Sequence, residues 1–244
     1  MLELSFLGSG NAFTAGGRYW SSFLLNGRYL FEAPPTLLPH LKRLGVPPAD
    51  IRAVFISHFH GDHFLGLPFL FLEYLHLTPR REDLYIVGPP GVEEMIEGVA
   101  EAAFPNLSHA DAGYHRRYLE VESGRQQTVD ALCFQAFPMK HAGEKLASFG
   151  YRLRLAEKVL AYTGDTELCD ELFALAAGAD VLVLDCNYSQ DKGPEHVSFA
   201  EVPEVRKRLP PSTTIILTHL EAEPDVSSLE GVLVARDFAT FRFP

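Results

Sequence analysis

Ser57-His58-Phe59-His60-Gly61-Asp62-His63 concentrates four metal-binding side chains in six positions. The residues before it, Ile51 and Ala53 to Ile56, form an apolar run of strand length, so the four ligands follow a strand's C-terminal end. Strand alternation sets His58 and His60 on one side. Gly61 is expected to turn the chain so that Asp62 and His63 return beside them. Such crowding exceeds one tetrahedral ion and suits two. Imidazole mixed with carboxylate suits zinc first, with manganese or iron also accommodated.

Two ions need further ligands, and the same strand-to-loop geometry recurs downstream. His141 follows a strand ending at Phe137, Asp165 follows Val159 to Tyr162, and His219 follows Thr214 to Leu217 directly. Asp165 could alternatively cap a helix beginning near Glu167. His196 lies in Pro194-Glu195-His196-Val197-Ser198, where Ser198 could cap the next helix and fix the loop. That loop is either a structural turn or a segment delivering a catalytic group. His40, His76, His109 and His115 fall on helices or irregular loops and read as surface or packing residues.

The remaining chain frames these positions. Leu2 to Leu7 reads as a buried strand that turns through Gly8-Ser9-Gly10-Asn11, a loop able to approach a ligand. Asn26-Gly27 is a hairpin signal between Trp20 to Leu25 and Tyr29 to Phe31. A helix starts at Pro34-Pro35 and ends at Gly45. Phe64 to His76 reads as a buried helix, and Gly91 to Phe104 as an amphipathic one. Strands are expected at Leu84 to Val87, Tyr118 to Val121, Ala131 to Phe137, Phe149 to Leu155 and Val181 to Leu184. Further helices are expected at Glu167 to Ala177 and Ser198 to Leu209, with β structure again from Leu229 to Phe243. A β-rich then helical pattern thus occurs twice, which implies two similar halves with sheets inside and helices outside.

With 244 residues and 47% hydrophobic content the chain can bury a large core as one domain, 1–244. A net charge of -11 argues against a broad nucleic-acid-binding face and against a DNA-binding module. Neither a signal peptide nor a membrane span is evident, so a cytoplasmic location without membrane association is expected. Cys133, Cys169 and Cys186 lack metal-type spacing and read as small buried hydrophobes in a reducing compartment.

The chain resembles the metallo-β-lactamase superfamily, and within it the ribonuclease Z-like phosphodiesterases. Phe6-Leu7-Gly8-Ser9-Gly10 is similar to the family's opening strand and loop, and Ser57 to His63 to its metal signature. Lys140-His141 with Gly150-Tyr151-Arg152 is similar to its third motif, Thr163-Gly164-Asp165-Thr166 with Asp180 to Val183 to its fourth, and Leu217-Thr218-His219 to its last. The resemblance implies an α/β four-layer αββα sandwich. It implies His58, His60 and His141 on one divalent ion, Asp62, His63 and His219 on the other, and Asp165 bridging. His196-Val197-Ser198 looks like the element that supplies a catalytic His in these phosphodiesterases.

The expected activity is therefore phosphodiester hydrolysis through a metal-bridging hydroxide, with Asp62 orienting the water and His196 protonating the leaving group. Arg18, Arg80 and Arg81 are candidate phosphate contacts, and the aromatic segments around Tyr19-Trp20 and Phe69-Tyr74 candidate walls. Glu32-Ala33-Pro34-Pro35 departs from the Asp-x-Gly-type turn of tRNA-processing members, and no basic Gly/Pro-rich arm is evident. Small or cyclic phosphodiesters or short RNA are thus the expected substrates. The alternatives are a ribonuclease Z-type tRNA 3′ endonuclease, a thioester, lactone or β-lactam hydrolase, and a metal-stabilised binding module. A homodimer would pool the scattered basic residues.

Overall fold

The computed structural model describes residues 1–189 and 192–244. The strands are β1 (Leu2–Gly8), β2 (Ser22–Leu25), β3 (Tyr29–Phe31), β4 (Ala53–Phe55), β5 (Leu84–Gly88), β6 (Arg116–Glu120), β7 (Gln126–Val129), β8 (Leu132–Pro138), β9 (Phe149–Leu155), β10 (Lys158–Tyr162), β11 (Val181–Asp185), β12 (Thr214–Thr218), β13 (Val232–Val234) and β14 (Thr240–Phe243). The helices are α1 (Leu37–Arg43), α2 (Gly61–Phe64), α3 (Leu67–His76), α4 (Val92–Ala103), α5 (Asp170–Ala176) and α6 (Val202–Arg208). Two seven-stranded sheets result, ordered β14-β1-β2-β3-β4-β5-β6 and β13-β12-β11-β10-β9-β8-β7.

Alternation along buried strands explains the layering. In β3 and β4, Phe31 and Phe55 face the other sheet while Leu30 and Val54 face helices. In β11, Val181 and Val183 point inward while Leu182 and Leu184 point toward α5 and α6. Strands apolar on both faces belong between two other layers, and the four layers run helix, sheet, sheet, helix. The inter-sheet core contains a row of stacked rings: Phe23 on Phe31 at 4.5 Å, and Phe31 on Phe55 at 4.9 Å. Tyr162 of the opposite sheet meets Phe23 and Phe31 edge-on.

Local chemistry sets the connections. Asn26 and Gly27 both adopt positive φ, as a type I′ hairpin turn requires. Gly61, by contrast, is not left-handed; it opens α2, and this single helical turn rather than a glycine bend carries Asp62 and His63. The predicted helix from Glu167 begins three residues later, because Glu167 N–H is taken by Lys140 O and Thr166 N–H by Asp185. The predicted helix from Ser198 divides into a short 3-10 turn, Phe199–Glu201, and α6. The polar edge strand β7 has one buried side chain, Val129, which leaves little alternation to read. Cys186 is buried but Cys133 and Cys169 are only half-buried, short of the uniformly buried reading. No helix among the described residues is long and apolar enough to cross a membrane.

Candidate metal centre

β3, β4, β10, β11 and β12 end along one rim of the two facing sheets, and β8 runs in the same direction as β10. The chain leaving these strands supplies every residue of a compact cluster. His58, His60, His141 and Asp165 form one group whose potential ligand atoms lie within 4.8 Å of one another, and Asp62, His63 and His219 form a second. Asp165 Oδ2 stands between them, 3.8 Å from His58 Nε2, 3.4 Å from His63 Nε2 and 3.3 Å from His219 Nε2. His141 Nε2 lies 3.2 Å from His60 Nδ1. All seven residues expected from the sequence are thus together, and Asp165 sits inside the cluster rather than capping a helix.

The outward ring nitrogens of His58, His63, His141 and His219 each face an oxygen of a surrounding group, which favours aiming the opposite nitrogen inward. His58 Nδ1 is 2.9 Å from Ser57 Oγ, and His141 Nδ1–H donates to Glu195 O at 2.9 Å. His63 Nδ1 faces Glu32 at 3.5 Å, and His219 Nδ1 faces Asp185 at 3.5 Å. Glu32 in turn accepts from Tyr162 Oη at 2.9 Å and Ser57 N–H at 3.2 Å. Glu32, Ala142, Glu195 and His219 are all non-glycine residues with positive φ. This concentration of left-handed backbone around one cluster is the strain that functional sites retain.

His196 also reaches the cluster. Its Nδ1–H donates to Asp185 Oδ2 at 2.8 Å and its ring stacks on His219 with centroids 5.1 Å apart. The Glu201 carboxylate takes both the N–H and the Oγ–H of Ser198 at 3.0 Å, fixing the segment behind His196.

The carboxylates and imidazoles of the cluster act strongly on one another. Burial opposes ionisation of Asp165, but His219 and His63 outweigh it and hold the carboxyl well below its usual range. Burial likewise disfavours a charged His219, and Asp165, Asp185 and Asp62 overcome this to raise the ring to about 10. His58, dominated by burial and neighbouring imidazoles, is pushed well below the ordinary value. His58 Nε2, both nitrogens of His63 and both of His219 are buried without a hydrogen-bond partner. Buried polar atoms are normally paired. The inward-facing Nε2 atoms of His58, His63 and His219 around a shared carboxylate fit divalent cations, which bind neutral imidazole and ionised carboxylate.

Two cluster residues escaped the sequence reading. Asp185 ends β11 and Glu32 follows β3, the same strand-end placement that singled out His141, Asp165 and His219. Conversely, the candidate phosphate arginines are committed elsewhere. Arg80 is buried and donates to Ile51 O, Glu82 O and Asp83 O. Arg18 bonds Ser9 and Glu223, and Arg81 lines a cleft at the opposite, N-terminal end of β3 and β4. Of the candidate wall on α3, Phe71 and Tyr74 pack into the helix–sheet core, while Phe69 stays exposed with its ring edge-on to Phe104.

The family model described as a beta-lactamase superfamily domain matches residues 27–220. Ribonuclease Z of Methanothermobacter thermautotrophicus is 28% identical over 274 aligned positions, covering 90% of this chain and 87% of its own. The crystal structure of human tRNase Z, short form, superposes with a TM-score of 0.80 at 22% identity, covering 99% of each chain. The metallo-beta-lactamase fold protein YhfI from Bacillus subtilis also gives 0.80, at 18% identity and covering 99% of this chain and 100% of its own.

Proposed function

We propose that this chain, which belongs to the beta-lactamase superfamily, is a metal-dependent hydrolase that uses two ions to cleave small or cyclic phosphodiesters or short RNA. The ribonuclease Z relatives support a phosphodiester substrate. The observation that carries the reading is the Asp185–His196 pair beside the cluster, at 2.8 Å. An alkoxide leaving from phosphorus is a strong base and needs a proton. A thioester expels a weakly basic thiolate and a purely structural metal site expels nothing, so neither has a comparable use for that pair.

His58, His60 and His141 would hold one divalent ion, Asp62, His63 and His219 the other, with Asp165 between them. Two such ions, zinc being the first choice for this donor set, would acidify a water and polarise a phosphoryl oxygen. Asp62 Oδ2, 3.7 Å from His219 Nε2 and 3.4 Å from His63 Nε2, accepts a hydrogen bond from the attacking water and orients it. Asp185 holds the Nδ1–H of His196, so Nε2 is the nitrogen that delivers a proton to the departing oxygen. As that proton leaves and returns, the buried Asp185 carboxylate stabilises the charged imidazole.

Small substrates are favoured by what the relative has and this chain lacks. The 274-position match is longer than the 244-residue chain, so the relative carries inserted segments with no counterpart here. With 21 basic against 32 acidic residues, the chain offers little of the cationic surface that folded RNA requires. Three free cysteines suit a reducing, cytoplasmic setting. The test is turnover of a panel of cyclic nucleotides, dinucleotides, a thioester and a lactone by metal-loaded protein. Phosphodiester cleavage that falls with His196→Ala is expected; thioester or lactone turnover indifferent to that substitution would refute the reading.

A further inference from the structure

The loop between β1 and β2 is tied down at its base and bare at its tip. Gly10 N–H donates to Tyr19 O at 2.7 Å, Ser21 N–H returns to Gly10 O at 2.9 Å, and Gly10 bridges both Trp20 and Leu220. A Cβ on Gly10 would lie 2.6 Å from Arg18 Cβ, so only glycine lets this base close. Because Leu220 follows His219, the foot of the loop is attached to the metal cluster itself.

Asn11 completes the attachment. It is only 3% exposed, its N–H donates to Leu220 O at 3.2 Å, and its Nδ2 donates to Asn187 Oδ1 at 2.8 Å. Its Oδ1 accepts Phe13 N–H at 3.1 Å, and Trp20 Nε1–H donates to the neighbouring Ala12 O at 3.0 Å. The backbone bearing Phe13 is therefore fixed from two directions. Its ring is nevertheless 85% exposed, the most exposed large apolar side chain among the described residues. Thr14 beside it has φ 50, a left-handed conformation that β-branched residues seldom adopt. A strained, pinned backbone holding one bare ring describes a ligand clamp better than it describes a protein-docking face, which needs a contiguous apolar patch.

We propose that Phe13 is a specificity-determining residue, a stacking platform for the planar base of a nucleoside phosphodiester whose phosphate lies at the cluster. The proposal rests on the phosphodiesterase reading and narrows its substrate class to nucleotides. Aromatic rings accept any nucleobase because every base has a π-face. Stacking also needs no cationic surface, in keeping with a chain in which Arg18 and Arg80 are engaged elsewhere.

The test compares wild type with Phe13→Ala, Phe13→Leu and Phe13→Trp on a dinucleotide and on a ring-free glycerol phosphodiester. KM for the dinucleotide should rise about 10-fold in the Ala variant, from the loss of one stacked base. Leu should be nearly as impaired, Trp should equal or better wild type, and the glycerol diester should be unaffected throughout. Equal effects on both substrates, or none, overturn the proposal. So does a change of oligomeric state without a change in KM, which would give the ring to an interface. Binding is read separately by titrating nucleoside monophosphate into the Phe13→Trp protein and following tryptophan fluorescence against the wild-type background. Saturable quenching supports stacking even if no diester is turned over, whereas its absence with intact turnover refutes stacking alone.

Discussion

The carboxylate of Asp185 joins two rings of the site, accepting Nδ1–H of His196 at 2.8 Å on Oδ2 and facing His219 Nδ1 at 3.5 Å through Oδ1. It therefore links His196 to His219 from a position nearly sealed from water. His196→Ala is expected to keep the metal content of the wild type. It should slow diesters with alkoxide leaving groups ~10²-fold more than nitrophenyl diesters, which need no proton donor. Adding Asp185→Asn to His196→Ala should cost little more in proton delivery, since residues acting as one unit are not additive; any further loss should appear as weaker metal binding, because Asp185 also faces His219 at 3.5 Å. Equal slowing of both leaving groups would remove the proton-donor role.

Asp165 Oδ2 is within 4.0 Å of nitrogens on five histidines. Asp165→Ala should lower the metal found by elemental analysis from two ions per chain to one or none and abolish turnover. Retention of two tightly held ions with full activity would reject Asp165 as the shared ligand.

Glu32 lies behind His63 and is fully buried, with Tyr162 and Ser57 donating to it. Glu32→Gln retains the shape while replacing one acceptor oxygen by a donor opposite His63 or Ser57 N–H. Metal affinity, measured by competition with a chromophoric chelator, should fall about 10- to 100-fold, the usual effect of losing an outer hydrogen-bond partner. Unchanged affinity would leave Glu32 a purely structural anchor for β3.

Arg80 provides a contrast, because its guanidinium is occupied by three backbone carbonyls. Arg80→Ala should destabilise the fold by about 3 kcal/mol through unpaired buried acceptors, seen as a lower Tm. Its kcat/KM at a temperature where the variant stays folded should match wild type; a selective rise in KM would restore a role in phosphate binding.

The cluster was legible because Ser57 to His63 is dense and His141, Asp165 and His219 each follow a periodic apolar strand. The β-rich then helical pattern, occurring twice, likewise announced two sheets inside and helices outside. Glu32 and Asp185 obeyed the same strand-end rule, but a single carboxylate after a strand gives no sign of which ring it will face. That relation arises only when β3 and β11 are brought against α2 and β12. Arg80 was unreadable for a related reason: the carbonyls of Ile51, Glu82 and Asp83 that consume its charge are acceptors every sequence has. Phe71 and Tyr74 lie on one turn-spaced stripe, which points equally to a pocket wall and to a core, and packing chose the core.

Substrate size follows from charge and from the insertions that this chain lacks. A protein gripping folded RNA collects affinity from many phosphate contacts and loses it steeply as salt rises. Here the formal charge is -11, Arg80 and Arg18 are bonded within the fold, and Arg116 is held by Glu97. A nucleotide-sized diester needs only the cluster, His196 and a surface for its base. We therefore expect kcat/KM for cyclic or dinucleotide phosphodiesters to exceed that for a precursor tRNA, with weak salt dependence between two ionic strengths. A homodimer could reverse this by assembling a basic groove from two chains, so sedimentation belongs beside the kinetics. Strong, salt-sensitive cleavage of the tRNA at its 3′ trailer would assign the protein to tRNA maturation instead.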